Sequence, residues 1–314
     1  MSRHEVLVMA PPRPKAMAQL EATYHLHRFD LADDKKAFLS DVGVHCKAVV
    51  TNGHTDLTRS QIAKLPNVGV VTCSSAGFET IDDTALRDHG IALTNSSAVL
   101  SNDVADVALM LTLAGRRQLV AAHAYVATGD WERQGMYPLL STLTGTRVGI
   151  VGLGTIGTAI TKRFEPFEVE IGYTARSQKS VDYAYFADTL SLAKWSDILV
   201  VIVPGGDETR GLISKDVIKA VGPKGTIVNV ARGSVVDEPA LIHALQNGTL
   251  GSAALDVYLN EPNPNPALTA LPNVTLYPHH ASGTVETRDA MAQTVVDNLA
   301  AHFAGEPLLN SVFT

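Results

Sequence analysis

Short runs of β-branched and other apolar residues alternate with longer stretches of helical periodicity along most of the chain. In the first hundred residues, strands are predicted at EVLVMA, CKAVVTN, VGVVTC and IALTN, and helices at LADDKKAFLSDV and TALRDHG, which end near Gly43 and Gly90. Further strands are predicted at RVGIVGL, VEIGYTA, DILVVIV, GTIVNVA, SAALDV and NVTLYP. Near-continuous apolar strands separated by helices are typical of parallel sheets covered on both faces. The pattern therefore predicts the α/β class, doubly wound.

Two longer helical patterns divide the chain. The first covers residues 101–131, with Ser101 or Asn102 as the N-cap, and begins a second domain. The second is amphipathic, covers residues 288–305, and is expected to return to the first domain. A chain of 314 residues is about the right length for two domains. We expect one domain from residues 1–100 and 286–314, and the other from 101–285.

Composition narrows the class of partner. The chain is 46% hydrophobic and 18% charged, as in ordinary soluble globular proteins, and its net charge of −7 argues against nucleic acid or an anionic membrane as the main partner. Two cysteines build no disulfide framework. The first apolar run ends at Pro11 and is too short for a signal peptide, and VALMLTLAG and ILVVIV fall below the ~18 residues of a membrane span. We expect a cytoplasmic location.

The segment RVGIVGLGTIG contains the pattern G-x-G-x-x-G, formed by Gly152, Gly154 and Gly157 between a predicted strand and a predicted helix. The first glycine permits a tight turn, the second lets a pyrophosphate approach the backbone, and the third allows close helix–strand packing. The helix N-terminus adds N–H donors and a positive dipole end. Glycines also mark ordinary turns, but the strand–turn–helix context favours dinucleotide binding.

The next strand bears on which nicotinamide cofactor is used. An NAD site needs an Asp or Glu ~20 residues after the glycines, to accept from the ribose hydroxyls. Here YTARSQK has Thr174 at that place, followed by Arg176, Ser177 and Lys179. A guanidinium and a hydroxyl suit a 2′-phosphate, although a solvated basic loop would look the same. The position favours NADPH over NADH.

Polar residues follow three later strands. Arg232 ends the strand of IVNVARG, Glu261 follows the strand that holds Asp256, and His279 and His280 follow the last strand. Ligands of doubly wound sheets bind at the carboxyl ends of the strands. There an Arg can clamp a carboxylate and polarise a carbonyl, a His can donate a proton as hydride arrives, and a Glu can stabilise the imidazolium.

Each of these residues also has a structural explanation: a surface cation, a loop acid or a buried histidine. Because these residues all follow strands that come after a nucleotide-binding pattern, a catalytic role is favoured for the set. Neighbours on an extended chain point in opposite directions, so one of the two histidines is expected to face a site, and the pattern leaves open which. The remaining histidines, including His25 and His27, show no metal-ligand spacing, so no metal is expected.

The segments VGIVGLGTIG, NVARGSVVDEPALIHAL, AALDVYLNEP and PHHASGTVETR resemble the D-isomer-specific 2-hydroxyacid dehydrogenase family. The segments YTARS and SGTVETR are most similar to its hydroxyphenylpyruvate and glyoxylate/hydroxypyruvate reductase branch, in which NADPH is preferred. The resemblance implies a Rossmann dinucleotide-binding domain and a discontinuous, flavodoxin-like substrate domain, with the active site in the cleft between them. It also implies a homodimer built largely on a helix of residues 101–126.

The resemblance implies roles for individual residues. The catalytic set becomes Arg232, Glu261 and His279, since the family's histidine directly follows the proline, and His280 has a lesser role. Ala76 and Gly77 of CSSAGFETID are expected to bind the substrate carboxylate through backbone N–H groups, beside Arg232 and His279. Besides the glycines, Arg176 and Ser177, the expected cofactor contacts are Thr155, Ile156, Val203, Thr209, Val230, Asp256 and Ser282.

Some positions depart from the family pattern. Phe78-Glu79 replaces a more usual leucine or tyrosine followed by aspartate, and Gly205-Gly206 replaces a threonine or leucine and a proline. Trp131, Met136 and Tyr137 lie where related enzymes lend pocket residues across the dimer.

The sequence predicts an NADPH-dependent reductase of small 2-keto acids (glyoxylate, hydroxypyruvate or arylpyruvates) that forms D-2-hydroxy acids. One alternative is an NAD-linked dehydrogenase of the same family that works oxidatively. The other is a non-enzymatic, nucleotide-sensing regulator with the same fold.

Overall fold

A computed structural model describes residues 3–313 of the chain. They form two compact units. Unit 1 comprises the described residues up to Leu100 and those from Ser282 onward, and unit 2 comprises Ser101–Ala281.

Both units are built from short strands that alternate with helices. The strands are β1 (Glu5–Val8), β2 (His25–Arg28), β3 (Ala48–Thr51), β4 (Val70–Cys73), β5 (Ala92–Thr94), β6 (Arg147–Val151), β7 (Glu170–Thr174), β8 (Ala184–Tyr185), β9 (Ile198–Val201), β10 (Thr226–Asn229), β11 (Ser252–Leu255) and β12 (Val274–Leu276). The helices are α1 (Pro14–Thr23), α2 (Lys35–Val42), α3 (Arg59–Ile62), α4 (Asp83–Asp88), α5 (Ser97–Arg116), α6 (Leu119–Ala127), α7 (Asp130–Gln134), α8 (Thr155–Phe164), α9 (Thr189–Trp195), α10 (Lys215–Val221), α11 (Glu238–Gln246), α12 (Pro266–Thr269) and α13 (Val285–Ala304).

Unit 1 contains a parallel five-stranded sheet in the order β2-β1-β3-β4-β5, which is the flavodoxin-like order. Alternate residues of its strands enter two different cores. Leu7 and Val49 belong to one core, and Val6 and Val50 belong to the other, which α13 completes with Leu299. Burial on both faces explains why the strands read as continuous apolar runs.

Unit 2 contains a parallel seven-stranded sheet in the order β12-β11-β10-β9-β6-β7-β8. Counted from β6 along the chain, this is the Rossmann order 3-2-1-4-5-6 with one further strand at the β12 edge. The order reverses between β6 and β9, which pair directly. A reversal of this kind is where doubly wound sheets bind ligands, and the loop after β6 lies there.

The predicted α/β, doubly wound class with two parallel-sheet domains is confirmed. The single helix predicted over residues 101–131 is wrong: α5, α6 and α7 share this region. The break between α5 and α6 falls at Gln118, which adopts a left-handed conformation with φ of 46°. The predicted N-cap at Ser101 or Asn102 is wrong as well, because α5 already begins at Ser97.

Helix α5 is long and apolar enough to cross a membrane, judged by length and composition alone. Half of that segment is buried inside the structure, including Ala105, Ala108 and Leu111. The core helix of a globular protein has the same character, so α5 is weak evidence for a membrane span.

Candidate active site

The glycine loop after β6 has the shape that a dinucleotide requires. Gly152 has a φ of 104°, and a Cβ there would lie 2.7 Å from the carbonyl oxygen of Ile202. A Cβ on Gly157 would lie 2.1 Å from the carbonyl oxygen of Gly152, so the start of α8 packs directly on the turn. A Cβ on Gly154 would meet nothing within 4 Å. The first and third glycines thus close the turn, and the second faces open space where a pyrophosphate fits.

Helix α8 begins immediately after Gly154, its N-cap residue. The predicted contacts Thr155 and Ile156 are therefore the first two residues of the helix, where N–H groups have no partner within the helix and the dipole is positive. An anion above Gly154 would meet these N–H groups.

The loop after β7 carries the residues predicted to bind a 2′-phosphate. Thr174 ends the strand and is buried, whereas Arg176 and Ser177 are exposed. The hydroxyl of Tyr173 accepts a hydrogen bond of 2.7 Å from the N–H of Lys179 and thereby folds the loop back on the strand. No carboxylate stands at the end of β7, so the residues present fit NADPH better than NADH.

The other predicted cofactor contacts differ in their surroundings. Val203 follows β9, and its Cγ1 would lie 2.9 Å from a Cβ on Gly152, so its side chain borders the glycine loop. Thr209 donates to the carbonyl oxygen of Pro204 at 2.6 Å and so closes the loop that contains Gly205-Gly206. Val230 is 6% exposed, and Ser282 follows the last residue of unit 2. Their contact with a cofactor stays a prediction.

Arg232 leaves β10 through a turn that Asn229 holds. The Asn229 side chain accepts from Ala231 N–H and donates to the Arg232 carbonyl, both at 3.0 Å. The guanidinium is partly exposed and donates to the Ala231 carbonyl at 2.7 Å. The sequence predicts no role for Asn229. An asparagine at the end of an apolar strand is nevertheless typical of such a turn.

Glu261 and His279 are in direct contact. Nδ1 of His279 lies 2.6 Å from Oε2 of Glu261, and each side chain is 31% exposed. The other oxygen of Glu261 accepts a bond of 2.9 Å from the N–H of Tyr258. Burial acts to raise the pKa of Glu261, but the bonds from His279 and Tyr258 and the charges of His279 and Arg232 outweigh it and lower that pKa. Glu261 is therefore a carboxylate, and its contact with Nδ1 orients the imidazole of His279.

The loop that carries His279 is anchored by Asp256. The Asp256 side chain is 1% exposed and accepts from the N–H groups of His280 and Ala281 at 2.8 and 3.2 Å. The Asp256 carbonyl accepts from His279 N–H at 2.7 Å. Burial raises the pKa of Asp256, against the effect of these hydrogen bonds. The carboxylate holds the loop, and its predicted cofactor contact stays a prediction.

The two adjacent histidines have different surroundings. His279 has a φ of 48° and contacts Glu261, whereas His280 is exposed and its ring centroid lies 6.4 Å from that of Tyr277. The structure thus places His279, and not His280, in contact with the carboxylate of Glu261. A histidine that transfers protons needs such a partner to orient its ring.

In unit 1, Ala76 and Gly77 lie in the loop after β4. The Ala76 carbonyl accepts from the Asn95 side chain at 3.0 Å, and a Cβ on Gly53 would lie 2.2 Å from the Gly77 carbonyl oxygen. The Ser75 hydroxyl accepts from Gly53 N–H at 3.1 Å. The loops after β3 and β4 are therefore packed on each other at the carboxyl end of this sheet.

Among residues 3–313, no three His, Cys, Asp or Glu side chains are grouped so that they could hold a metal ion. Cys46 and Cys73 are free and buried, and burial raises their pKa values to about 12 and about 11. Neither thiol is therefore a ready nucleophile.

Unit 2 thus has the fold and the glycine loop of a dinucleotide-dependent oxidoreductase, with an acid–histidine pair at the carboxyl end of the same sheet. Residues 108–281 match the family model of the D-isomer specific 2-hydroxyacid dehydrogenase, NAD binding domain. The chain belongs to this family, which confirms the resemblance found in the sequence.

Relatives match over almost the whole chain. Glyoxylate/hydroxypyruvate reductase A HPR2 of Arabidopsis thaliana is 44% identical over 98% of this chain and 98% of its own length. Hydroxyphenylpyruvate reductase of Plectranthus scutellarioides is 41% identical over the same shares. The structure of an NADPH-dependent glyoxylate/hydroxypyruvate reductase from Sinorhizobium meliloti, in complex with NADP and malonate, has a TM-score of 0.89 at 37% identity, covering 99% of this chain and 97% of that one.

Proposed function

We propose that the chain is an NADPH-dependent reductase of small 2-keto acids (glyoxylate, hydroxypyruvate or an arylpyruvate) and forms D-2-hydroxy acids. One observation carries this proposal: His279 Nδ1 lies 2.6 Å from Glu261 Oε2, in the unit that also contains the glycine loop after β6. The names and cofactor of the similar reductases support it.

The cofactor would be held mainly by the loops after β6 and β7. Gly154 and the first N–H groups of α8 would hold the pyrophosphate, and Arg176 and Ser177 would hold the 2′-phosphate. When bound, NADPH supplies the hydride that reduces the carbonyl carbon.

Arg232 and His279 would act on the substrate. The Arg232 guanidinium can bind the substrate carboxylate and draw electron density toward the keto oxygen, which makes the carbonyl carbon more electrophilic. Because Nδ1 of His279 is engaged by Glu261, Nε2 is the ring nitrogen that would give its proton to the keto oxygen. The imidazole then recovers a proton from solvent while Glu261 stays ionised.

The backbone of Ala76 and Gly77 is proposed to bind the substrate carboxylate. Small residues leave the N–H groups of such a loop accessible, and packing of Gly53 on Gly77 fixes its position. A cleft between the two domains, as the resemblance implies, remains part of this proposal.

We further propose a homodimer in which α6 is covered by a second copy of the chain. Apolar side chains of α6 are exposed, with Leu119 at 59%, Val120 at 67% and Val126 at 58%. The segment beyond it is similar, with Trp131 at 62% and Met136 at 84% exposed, and apolar patches of this kind mark interfaces. Light scattering after size-exclusion chromatography should give twice the mass of 33.4 kDa.

Tyr137 differs from these neighbours, because its hydroxyl bonds Gln118 at 3.1 Å and its ring packs on Tyr125. Entry of Trp131, Met136 or Tyr137 into the partner's pocket stays a prediction. A cytoplasmic location is likewise proposed, on the two free thiols.

A steady-state panel tests the function directly. Glyoxylate, hydroxypyruvate, phenylpyruvate and hydroxyphenylpyruvate are each supplied with NADPH and, at equal concentration, with NADH, and oxidation is followed by absorbance. We expect turnover with at least one keto acid, a higher kcat/KM with NADPH, and a product of D configuration. Binding of NADPH without turnover of any keto acid would instead support a nucleotide-sensing regulator, and a preference for NADH would support the NAD-linked alternative.

A further inference from the structure

Tyr258 connects the loop of Glu261 with the loop of His279. Its N–H donates to Glu261 Oε1 at 2.9 Å. Its hydroxyl donates to the Tyr277 carbonyl at 2.8 Å, with the Leu255 carbonyl at 3.1 Å as a second acceptor. The same hydroxyl oxygen accepts from Tyr277 N–H at 3.1 Å. One residue therefore bonds the Glu261 carboxylate through its main chain and the end of β12 through its side chain.

The loop of Arg232 also packs on Tyr258. A Cβ on Gly233 would lie 2.0 Å from the Tyr258 carbonyl carbon and 2.1 Å from its oxygen. Only a glycine leaves room for the peptide of Tyr258 at this place. All three loops that carry the proposed catalytic side chains thus contact this residue.

The histidine loop needs such support because of its backbone conformation. His279 has a φ of 48°, in the left-handed region that residues with a Cβ rarely adopt. Its N–H donates to the Asp256 carbonyl at 2.7 Å and to the Tyr277 carbonyl at 3.1 Å. The Tyr277 carbonyl therefore receives both the Tyr258 hydroxyl and the His279 N–H, so that the hydroxyl holds one end of the turn that presents the imidazole.

We infer that Tyr258 is a positioning residue, whose hydroxyl and main chain together hold Glu261 and His279 at hydrogen-bonding distance. This inference rests on the proposed function. Tyr258 does not touch the reacting atoms and acts through the pair it holds.

The surroundings of the hydroxyl fit this role. The Tyr258 ring packs partly buried against the core of unit 2. Burial raises the pKa of Tyr258 to about 12, so the hydroxyl keeps its proton and donates throughout the working pH range. A hydroxyl fixed between two strand ends loses little conformational freedom when the substrate binds, as a positioning group should.

The test substitutes Tyr258→Phe, which keeps the ring and removes only the hydroxyl. Tyr183→Phe is the matched control: its hydroxyl donates to Glu165, and it precedes β8, at the opposite edge of the same sheet from β12. Both variants are assayed with NADPH and the best keto acid, at a temperature where circular dichroism shows them folded.

We expect Tyr258→Phe to lower kcat roughly tenfold, which is about the effect of one lost hydrogen bond, with NADPH affinity by fluorescence titration unchanged. Tyr183→Phe should leave kcat unchanged. The acid limb of the pH profile of kcat/KM should begin at higher pH in Tyr258→Phe, because the bonds that lower the pKa of Glu261 are loosened. The charged and titratable groups around Glu261 are His279, Arg232, Asp256 and Tyr258 itself.

A double-mutant cycle shows whether the hydroxyl acts through the pair. In a His279→Ala background, Tyr258→Phe should change the residual turnover less than about twofold, since there is no imidazole left to position. An equal loss in both backgrounds would overturn the inference, as would a Tyr258→Phe enzyme with the kcat and pH profile of the control. The wild-type assay separates failure of this inference from failure of the proposed function. Absence of keto-acid turnover in the wild type contradicts the proposed function itself.

Discussion

The two sheets are both parallel, but the loops at their carboxyl ends present different kinds of residue. In unit 2, the loops after β10, β11 and β12 present the charged or titratable side chains of Arg232, Glu261 and His279. In unit 1, the loops after β3 and β4 meet through small residues, with Gly53 packed on Gly77. Under the proposed function, the first arrangement acts through side chains and the second through backbone N–H groups.

This difference determines which substitutions would impair the function of each proposed site. A side-chain function is removed by truncation, because the acting atoms belong to the residue that is changed. A backbone N–H group survives nearly every substitution and is lost only when the loop is displaced. We therefore expect truncations in unit 2 to have large effects on kcat, and only substitutions that add atoms to have large effects in unit 1.

The largest effect is expected from His279→Ala. Loss of the proposed general acid should lower kcat by about 10²–10⁴-fold. The matched control is His280→Ala, which removes an exposed ring and keeps the backbone N–H that donates to Asp256. Steady-state kinetics with a keto acid and NADPH measure both variants. Retained turnover in His279→Ala together with its loss in His280→Ala would reverse the assignment of the two histidines.

A second side chain of unit 2 tests cofactor choice. Arg176→Ala should weaken NADPH binding about 10–100-fold, because charge-assisted bonds to the 2′-phosphate are lost, and should leave NADH binding within about twofold. Fluorescence titration of both cofactors gives the two dissociation constants. Arg59→Ala, an exposed guanidinium of unit 1, is the control. Equal losses for the two cofactors would show that Arg176 does not contact the 2′-phosphate.

Unit 1 is tested by adding one carbon atom. In Gly53→Ala the new Cβ would lie 2.2 Å from the Gly77 carbonyl oxygen, so the loop of Ala76 must shift. We expect the KM for the keto acid to rise about tenfold while NADPH affinity is unchanged, since a small displacement of a positioning group is costly. Gly90→Asn, where a Cβ would meet nothing within 4 Å, should leave KM unchanged. A normal KM in Gly53→Ala would remove this loop from the proposed substrate site.

The smallest effect concerns stability against pH. The pKa of Glu261 is lowered in the folded protein, so its ionised form stabilises the fold above the ordinary value of 4.5. This contribution is lost as pH falls through the lowered pKa. The Tm of the wild type should therefore exceed that of Glu261→Gln by more at about pH 6 than below that lowered pKa. Asp256, whose pKa is raised, contributes with the opposite sign in both proteins. A pH-independent Tm difference would contradict the prediction.

The parts of the fold that could be predicted are those in which burial controls the sequence. Strands covered on both faces must be apolar throughout, so β3, β9 and β10 are visible as runs, and the glycine loop is visible because its turn excludes a Cβ. Strand β2, with the sequence HLHR, was missed because it lies at a sheet edge, where polar side chains are tolerated.

The missed features depend on partners that are distant in sequence. The break at Gln118 has no glycine or proline at the residue that turns, since a non-glycine residue takes the left-handed conformation there. Tyr258 bonds main-chain atoms of Leu255 and Tyr277, and any residue type supplies such atoms, so no sequence pattern identifies them. The position of polar side chains at strand ends was therefore predictable, whereas the hydrogen bonds that align them required the fold.

The discontinuity of unit 1 has a consequence for synthesis on the ribosome. Val295 and Leu299 of α13 belong to the same core as Val6 and Val50. Residues up to Leu100 are synthesised first but lack this part of their core until α13 follows, after all of Ser101–Ala281 has been made. Unit 2 is therefore the first to have its complete sequence, while the nascent unit 1 has an apolar sheet face that α1 covers only in part until α13 is made. Chaperone demand during translation is expected to fall on the part of unit 1 that precedes Ser101, because its core is completed last.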